Sequence, residues 1–135
     1  SELNMPIIIH NRHADDDILA ITRNFPTIPK ILHCYSSSLQ FAETMLNDKT
    51  FFSFSGQLTY SKKGKTLTAL KNLPLNHIMI ETDTPYLTPK TYQGQRNEPS
   101  FITSTLDHII EHRNEDKEEI TTTIFNTTKN FFKIK

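Results

Sequence analysis

The chain has 135 residues, a single cysteine, and 15 basic against 15 acidic residues, so its formal net charge is zero. That length allows one domain with a real core, and the even balance argues against the basic surface that many nucleic-acid binders carry. One cysteine, Cys34, excludes an intrachain disulfide, and no apolar run reaches membrane-spanning length, so a soluble cytoplasmic protein, or a nuclear one in a eukaryote, is expected.

Pro6-Ile7-Ile8-Ile9 is apolar, β-branched and bounded by polar residues, which predicts a short buried strand. Asp15-Asp16-Asp17 precedes Ile18-Leu19-Ala20-Ile21. Acidic residues in a first turn complement the helix dipole, and Phe25-Pro26 ends such a helix near Asn24. Ile31-Leu32 forms the core of a second strand. Ser36-Ser37-Ser38 caps a predicted helix over 39–46, with Phe41, Met45 and Leu46 on one face. Phe51-Phe52-Ser53-Phe54 reads as a third strand and Ile78-Met79-Ile80 as a fourth, with a helix over 65–73 between them, ended by Pro74. Residues 82–99 form a long polar loop carrying three of the seven prolines; loops of that length in compact domains are functional or mobile. Two closing helices follow, over 100–112 and 116–131, with Glu118 and Glu119 in the first turn of the second.

The order β-α-β-α-β-α-β-α-α is that of a parallel sheet with right-handed crossovers. The fold class is therefore α/β, one domain without internal repeats or linkers. Four βα units are half of an eight-stranded TIM barrel.

In such folds functional groups sit where strands end. The first strand leads into His10-Asn11-Arg12, the second into His33-Cys34-Tyr35, and the fourth into Glu81-Thr82-Asp83. Three strand ends thus deliver His, His and Asp, which bind a divalent metal and leave it able to activate water. His10 and Arg12 lie at i, i+2, which places both on the same face, where Arg12 offers a donor fork to phosphate. Glu81 and Asp83 have the same spacing, and paired carboxylates suit metal binding with water activation.

Each group alone has a plainer reading: His10 in a surface turn, His33 half-buried, Glu81 and Asp83 as a cap and a surface ion pair. Their shared placement after successive strands is what favours a divalent-metal hydrolase. Cys34 has no cysteine partner and reads as packing. His13 and His77 read as ordinary residues. His108 and His112 have the metal-compatible i, i+4 spacing, but without a third ligand nearby in sequence they read as solvated. Lys62, Lys63 and Lys65 read as a solvated turn, with a phosphate-contacting loop as the lesser alternative.

These strings together resemble a known family. Pro6-Ile-Ile-Ile-His10-Asn-Arg12, His33-Cys34-Tyr35-Ser36 and Phe54-Ser55-Gly56 look like its fifth, sixth and seventh strand motifs. Glu81-Thr82-Asp83-Thr84-Pro85-Tyr86-Leu87, followed by Arg96-Asn97-Glu98-Pro99, looks like its eighth strand and loop. The family is that of the TatD metal-dependent deoxyribonucleases, within the amidohydrolase-like TIM barrels. The family's first-strand His-x-His and fourth-strand glutamate have no counterpart here, so the resemblance implies the C-terminal half of a barrel lacking its first four strands. Glu2-Leu3 looks like the tail of the helix before the fifth strand. The resemblance further implies that His10 and His33 bind one metal and Asp83 the other of two divalent ions (Zn, Mn or Mg), with Asp83 also orienting or deprotonating the attacking water. Arg12 and Arg96 would contact phosphate. The implied activity is hydrolysis of DNA phosphodiester bonds from a 3′ end, and the implied partners are DNA and either the missing N-terminal half or a second copy of the chain. Two alternatives stand beside it: another amidohydrolase-like hydrolase of esters or amides, and a non-catalytic remnant that binds a partner.

Overall fold

β1 (Ile7–His10), β2 (Lys30–His33), β3 (Thr50–Phe54) and β4 (Ile78–Ile80) form one parallel sheet in the order β1-β2-β3-β4, in a computed structural model that describes residues 5–135. The reading of Glu2-Leu3 as a helix tail lies outside those residues. Helices α1 (Asp15–Thr22), α2 (Leu39–Met45) and α3 (Lys65–Asn72) connect successive strands, and α4 (Ile102–His112) and α5 (Lys117–Phe132) close the chain. The expected α/β class is what the chain adopts, as a four-stranded part of a β/α barrel.

Helix starts follow local capping chemistry. Ser38 accepts a hydrogen bond from the Phe41 amide at 3.1 Å, and Asp116 accepts one from the Glu119 amide at 2.8 Å. Each satisfies an amide that the first helical turn leaves without a partner. The helix expected from residue 100 begins at Ile102, because Pro99–Phe101 winds into a tight 3-10 turn first.

Register separates the two faces of the sheet. Leu32, Phe52 and Ile78 stand across from one another, as do Phe54 and Ile80. With Phe41, Met45, Leu70, Ile109 and Ile120 of the helices, they make one core. Each such buried side chain is worth about 1.5–3 kcal/mol over leaving it in water. The opposite face carries Ile8, Ile31 and Phe51 in one row, with Ser53 beside Met79. Phe131, near the end of α5, packs on Ile31 and Met79 and meets Phe51 edge-on. This face is covered unevenly: Met79 is 1% exposed and Ile31 4%, whereas Ile8 of β1 is 61% exposed. The strand expected to be buried at Pro6-Ile7-Ile8-Ile9 does form, but Ile7 and Ile8 are exposed, because β1 has a neighbour on one side only among the described residues. β1 and β4 are the edges of the sheet among the described residues.

The segment 82–99 is more ordered than its composition predicts. Asn97 is buried, and its amide nitrogen donates to the carbonyls of Thr82 at 2.6 Å and Tyr86 at 2.5 Å. Lys90–Tyr92 forms a 3-10 turn, and Tyr92 stacks on Phe101 with ring centroids 3.7 Å apart. No helix of the described residues is long and apolar enough to cross a membrane.

Candidate metal centre

His10 and His33 are the last residues of neighbouring strands and are direct register partners. Their rings lie 5.6 Å apart, centroid to centroid, on the face that carries Ile8 and Ile31. β1 stops at His10, and the chain bends before His13, which has a φ of 57°. The alternation expected to carry Arg12 onto the His10 face therefore ends one residue too early. Arg12 is exposed and enters no ion pair among the described residues.

The turn after β1 is held by polar contacts that the sequence reading passed over. Asn11 donates to Asp15 at 2.6 Å and accepts from the Ala14 amide at 3.2 Å. Ser37, in the turn after β2, donates to the same Asp15 oxygen at 2.7 Å. Two strand-end loops are thereby tied together beside His10 and His33.

Cys34 follows His33 in the left-handed region, at φ 48°. Its sulfur lies 3.2 Å from the Ser55 hydroxyl. Burial pushes the thiol up from its ordinary value, against the Ser55 hydrogen bond, and the charges of Glu81 and Asp83 push it further. A thiol held protonated is a poor nucleophile, in agreement with a packing role.

On β4 the ladder extends one residue, with the Glu81 amide donating to the Phe54 carbonyl at 3.0 Å. The strand does not then run on to Asp83, which has a φ of 55°, a conformation aspartate tolerates better than most residues. The reason first given for Glu81 and Asp83 facing one way does not hold. They converge all the same, on His33: Glu81 Oε1 lies 2.7 Å from His33 Nδ1, and Asp83 Oδ1 lies 4.0 Å from His33 Nε2. The 2.7 Å approach is out of line for a hydrogen bond, so this buried carboxylate oxygen has no aligned donor. Two imidazoles and the Asp83 carboxylate, with the under-satisfied Glu81 carboxylate against His33, are a donor set and support that fit Zn²⁺ or Mn²⁺. Arg96 is exposed and borders a shallow cleft with Thr84, Pro85 and Asn97.

The sheet thus brings His10, His33 and Asp83 to one end, without closing their ligand atoms on a single point. Among the described residues, one trio of candidate ligands has all its atoms within 4.8 Å of one another, and it lies elsewhere: His108, Glu111 and His112 on α4. The solvated reading of the two histidines is corrected here, since His108 and His112 are half-buried. The overlooked signal was Glu111, at i+3 between them.

Comparison with known proteins bears on the family of the chain. The metal-dependent hydrolase YabD of Bacillus subtilis is 34% identical over 135 residues, which cover 98% of this chain and 53% of YabD. YcfH of Escherichia coli K12, also described as a metal-dependent hydrolase, is 31% identical over 98% of this chain and 50% of its own length. The chain therefore spans about half the length of these relatives. The crystal structure of YjjV, a TatD homologue of Escherichia coli K12, superposes with a TM-score of 0.90 at 28% identity, over 99% of this chain and 52% of YjjV. The description "TatD related DNase" matches residues 1–133. With a family match over nearly the whole chain and relatives above 30% identity along it, the chain belongs to the TatD-related DNase family.

Proposed function

We propose that this chain is the C-terminal half of a metal-dependent DNase barrel and supplies part of a split phosphodiesterase site. The observation that carries this reading is His33, register partner of His10 and flanked by Glu81 and Asp83 where the strands end. The family's name adds DNA as the substrate class, and cleavage from a 3′ end is the mode we expect. In this reading His10 and His33 hold one divalent ion and Asp83 the second. Such ions, when bound, offset charge on the phosphate oxygens and make a water molecule more acidic. Asp83 orients that water and takes its proton. Arg12 and Arg96, both exposed in the segments that follow β1 and β4, offer phosphate oxygens the forked donors of their guanidinium groups. Glu81 steadies the His33 ring from its Nδ1 side. The exposed face of β1 would be covered by the first four βα units, or by a second copy of the chain, since an open sheet edge invites pairing.

The test is cleavage of an end-labelled oligonucleotide with Mg²⁺, Mn²⁺ or Zn²⁺, by the chain alone and mixed with the N-terminal half of a family member. We expect no cleavage alone, cleavage on mixing, and loss of it in Asp83→Asn and His33→Ala. Cleavage that survives both substitutions, or none after mixing, would overturn the proposal. Hydrolysis of esters or amides in place of DNA would favour the other amidohydrolase-like reading. Light scattering after size exclusion separates pairing with the other half from pairing of two copies.

A further inference from the structure

The trio on α4 is separate from the strand-end site. It belongs to the helical layer, whereas His10, His33 and Asp83 stand where strands of the sheet end. We propose that His108, Glu111 and His112 form a second metal site, one that takes a borderline transition-metal ion such as Zn²⁺.

The spacing is the first argument. Residues at i, i+3 and i+4 rise from one helical face, and His-x-x-Glu-His is a spacing that zinc-binding helices use. The ligand atoms already lie within 4.8 Å of one another, and the two rings are 4.2 Å apart, centroid to centroid. Zinc bonds of about 2.1 Å need only small side-chain rotations to close that set.

The hydrogen bonding is the second and independent argument. His112 Nδ1 lies 2.8 Å from the carbonyl oxygen of His108. A carbonyl only accepts, so Nδ1 carries the proton and Nε2 keeps its lone pair. Metal-binding histidines are characteristically prepared in this way, with the far nitrogen donating to a carbonyl or carboxylate. His108 Nε2 is buried and has no hydrogen-bond partner. The Ser61 backbone stands near the ring, but no aligned hydrogen bond reaches this nitrogen, and a bound ion would satisfy it.

The surroundings suit a cation that keeps a water ligand. His108 and Glu111 border an open groove that also holds Asp107 and Lys90. Two carboxylates outweigh the one ammonium there. Two imidazoles with one carboxylate favour Zn²⁺, Ni²⁺ or Cu²⁺ over Mg²⁺, which prefers oxygen ligands.

The experiment uses Zn²⁺ alone as the probe, competed against a chromophoric chelator, in a chain carrying His10→Ala, His33→Ala and Asp83→Asn. This background removes the strand-end ligands, so failure of the second site and failure of the proposed nuclease site stay distinguishable. We expect one equivalent of Zn²⁺ to bind, with no displacement by millimolar Mg²⁺. Adding His112→Gln or Glu111→Gln should weaken binding at least tenfold while the helical circular dichroism is kept. The ring nitrogen resonances of His108 and His112 should shift on Zn²⁺ addition. A background chain that binds no Zn²⁺, equal displacement by Mg²⁺, or unchanged affinity in Glu111→Gln would overturn the site.

Discussion

The carbonyl oxygen of Leu87 lies so close above the α-carbon of Gly56 that a methyl group there would overlap it and also stand 2.8 Å from Pro89 Cγ. The glycine after β3 therefore lets the 82–99 segment rest against the sheet end. Gly56→Ala should cost about 1–3 kcal/mol, the range for forcing a methylene into a packed site. Urea unfolding would measure it. Because the obstacles are a backbone carbonyl and a proline ring, we expect faster amide exchange within 82–99 as well. Unchanged stability would mean that this segment is free to lift.

Asn97 is the second pin of that segment. Its one amide nitrogen serves the carbonyls of Thr82 and Tyr86. Asn97→Ala leaves both part-buried acceptors without this donor, which should cost about 1–3 kcal/mol. Asn97→Asp should be worse, since it sets a carboxylate oxygen against two carbonyl oxygens. Thermal melts of the two variants should rank in that order. The reverse order would show that water replaces the amide.

Arg113 staples the end of α3 from the end of α4. Its guanidinium donates to the carbonyls of Leu70 at 2.5 Å and Leu73 at 2.9 Å, and to both oxygens of Glu115 at 3.0 and 2.5 Å. Lysine cannot reproduce that fork, so Arg113→Lys should lose about 1.5–3 kcal/mol, as for a charged hydrogen bond. The Arg113 hydrogen bonds hold the Glu115 carboxyl below its ordinary value of 4.5, partly offset by burial. A carboxyl with a lowered folded-state value stabilises the fold fully above 4.5 and loses that contribution as pH falls through the lowered value. The acid limb of melting temperature against pH should therefore be shallower in Glu115→Gln. An unchanged limb would assign it to other carboxylates.

Glu81 touches His33 rather than the reacting phosphate, so its proposed effect is on positioning. Glu81→Gln in the reassembled barrel should weaken metal binding about 10–100-fold, the range for partners of metal-ligating histidines. Excess metal should then restore much of the turnover. Loss of turnover that saturating metal does not restore would assign Glu81 a direct part in the chemistry.

The strands over Ile31-Leu32, Phe51 to Phe54 and Ile78 to Ile80 were legible because they are short apolar runs that a sheet covered by helices buries, whereas Ile7 to Ile9 forms a strand without the burial its composition implied. Ser38 and Asp116 announced their helices because caps act locally. The placement of His10, His33 and Asp83 at strand ends followed from those runs. The aim of Asp83 did not, since a left-handed residue breaks the alternation that the spacing argument needs. Nor did the order within 82–99, which rests on Asn97 reaching back 15 residues to Thr82. Glu111 was missed because a surface glutamate in a helix looks like any other until one ring nitrogen beside it, His108 Nε2, is seen to lack an aligned partner.

His10 stands across from His33 because β1 and β2 are paired in one particular alignment. Parallel neighbours lie about 4.8 Å apart, so the spacing of these imidazoles belongs to the backbone ladder and to neither side chain. Yet β1 is gripped on one side only, and burial resists little a slide by two residues, which keeps every side chain on its own face. Such a slide would set Ile8 against His33 and leave the helical core untouched. An ion that needs both imidazoles would reward the native alignment alone, and so act as a proofreader of edge-strand pairing while the chain folds.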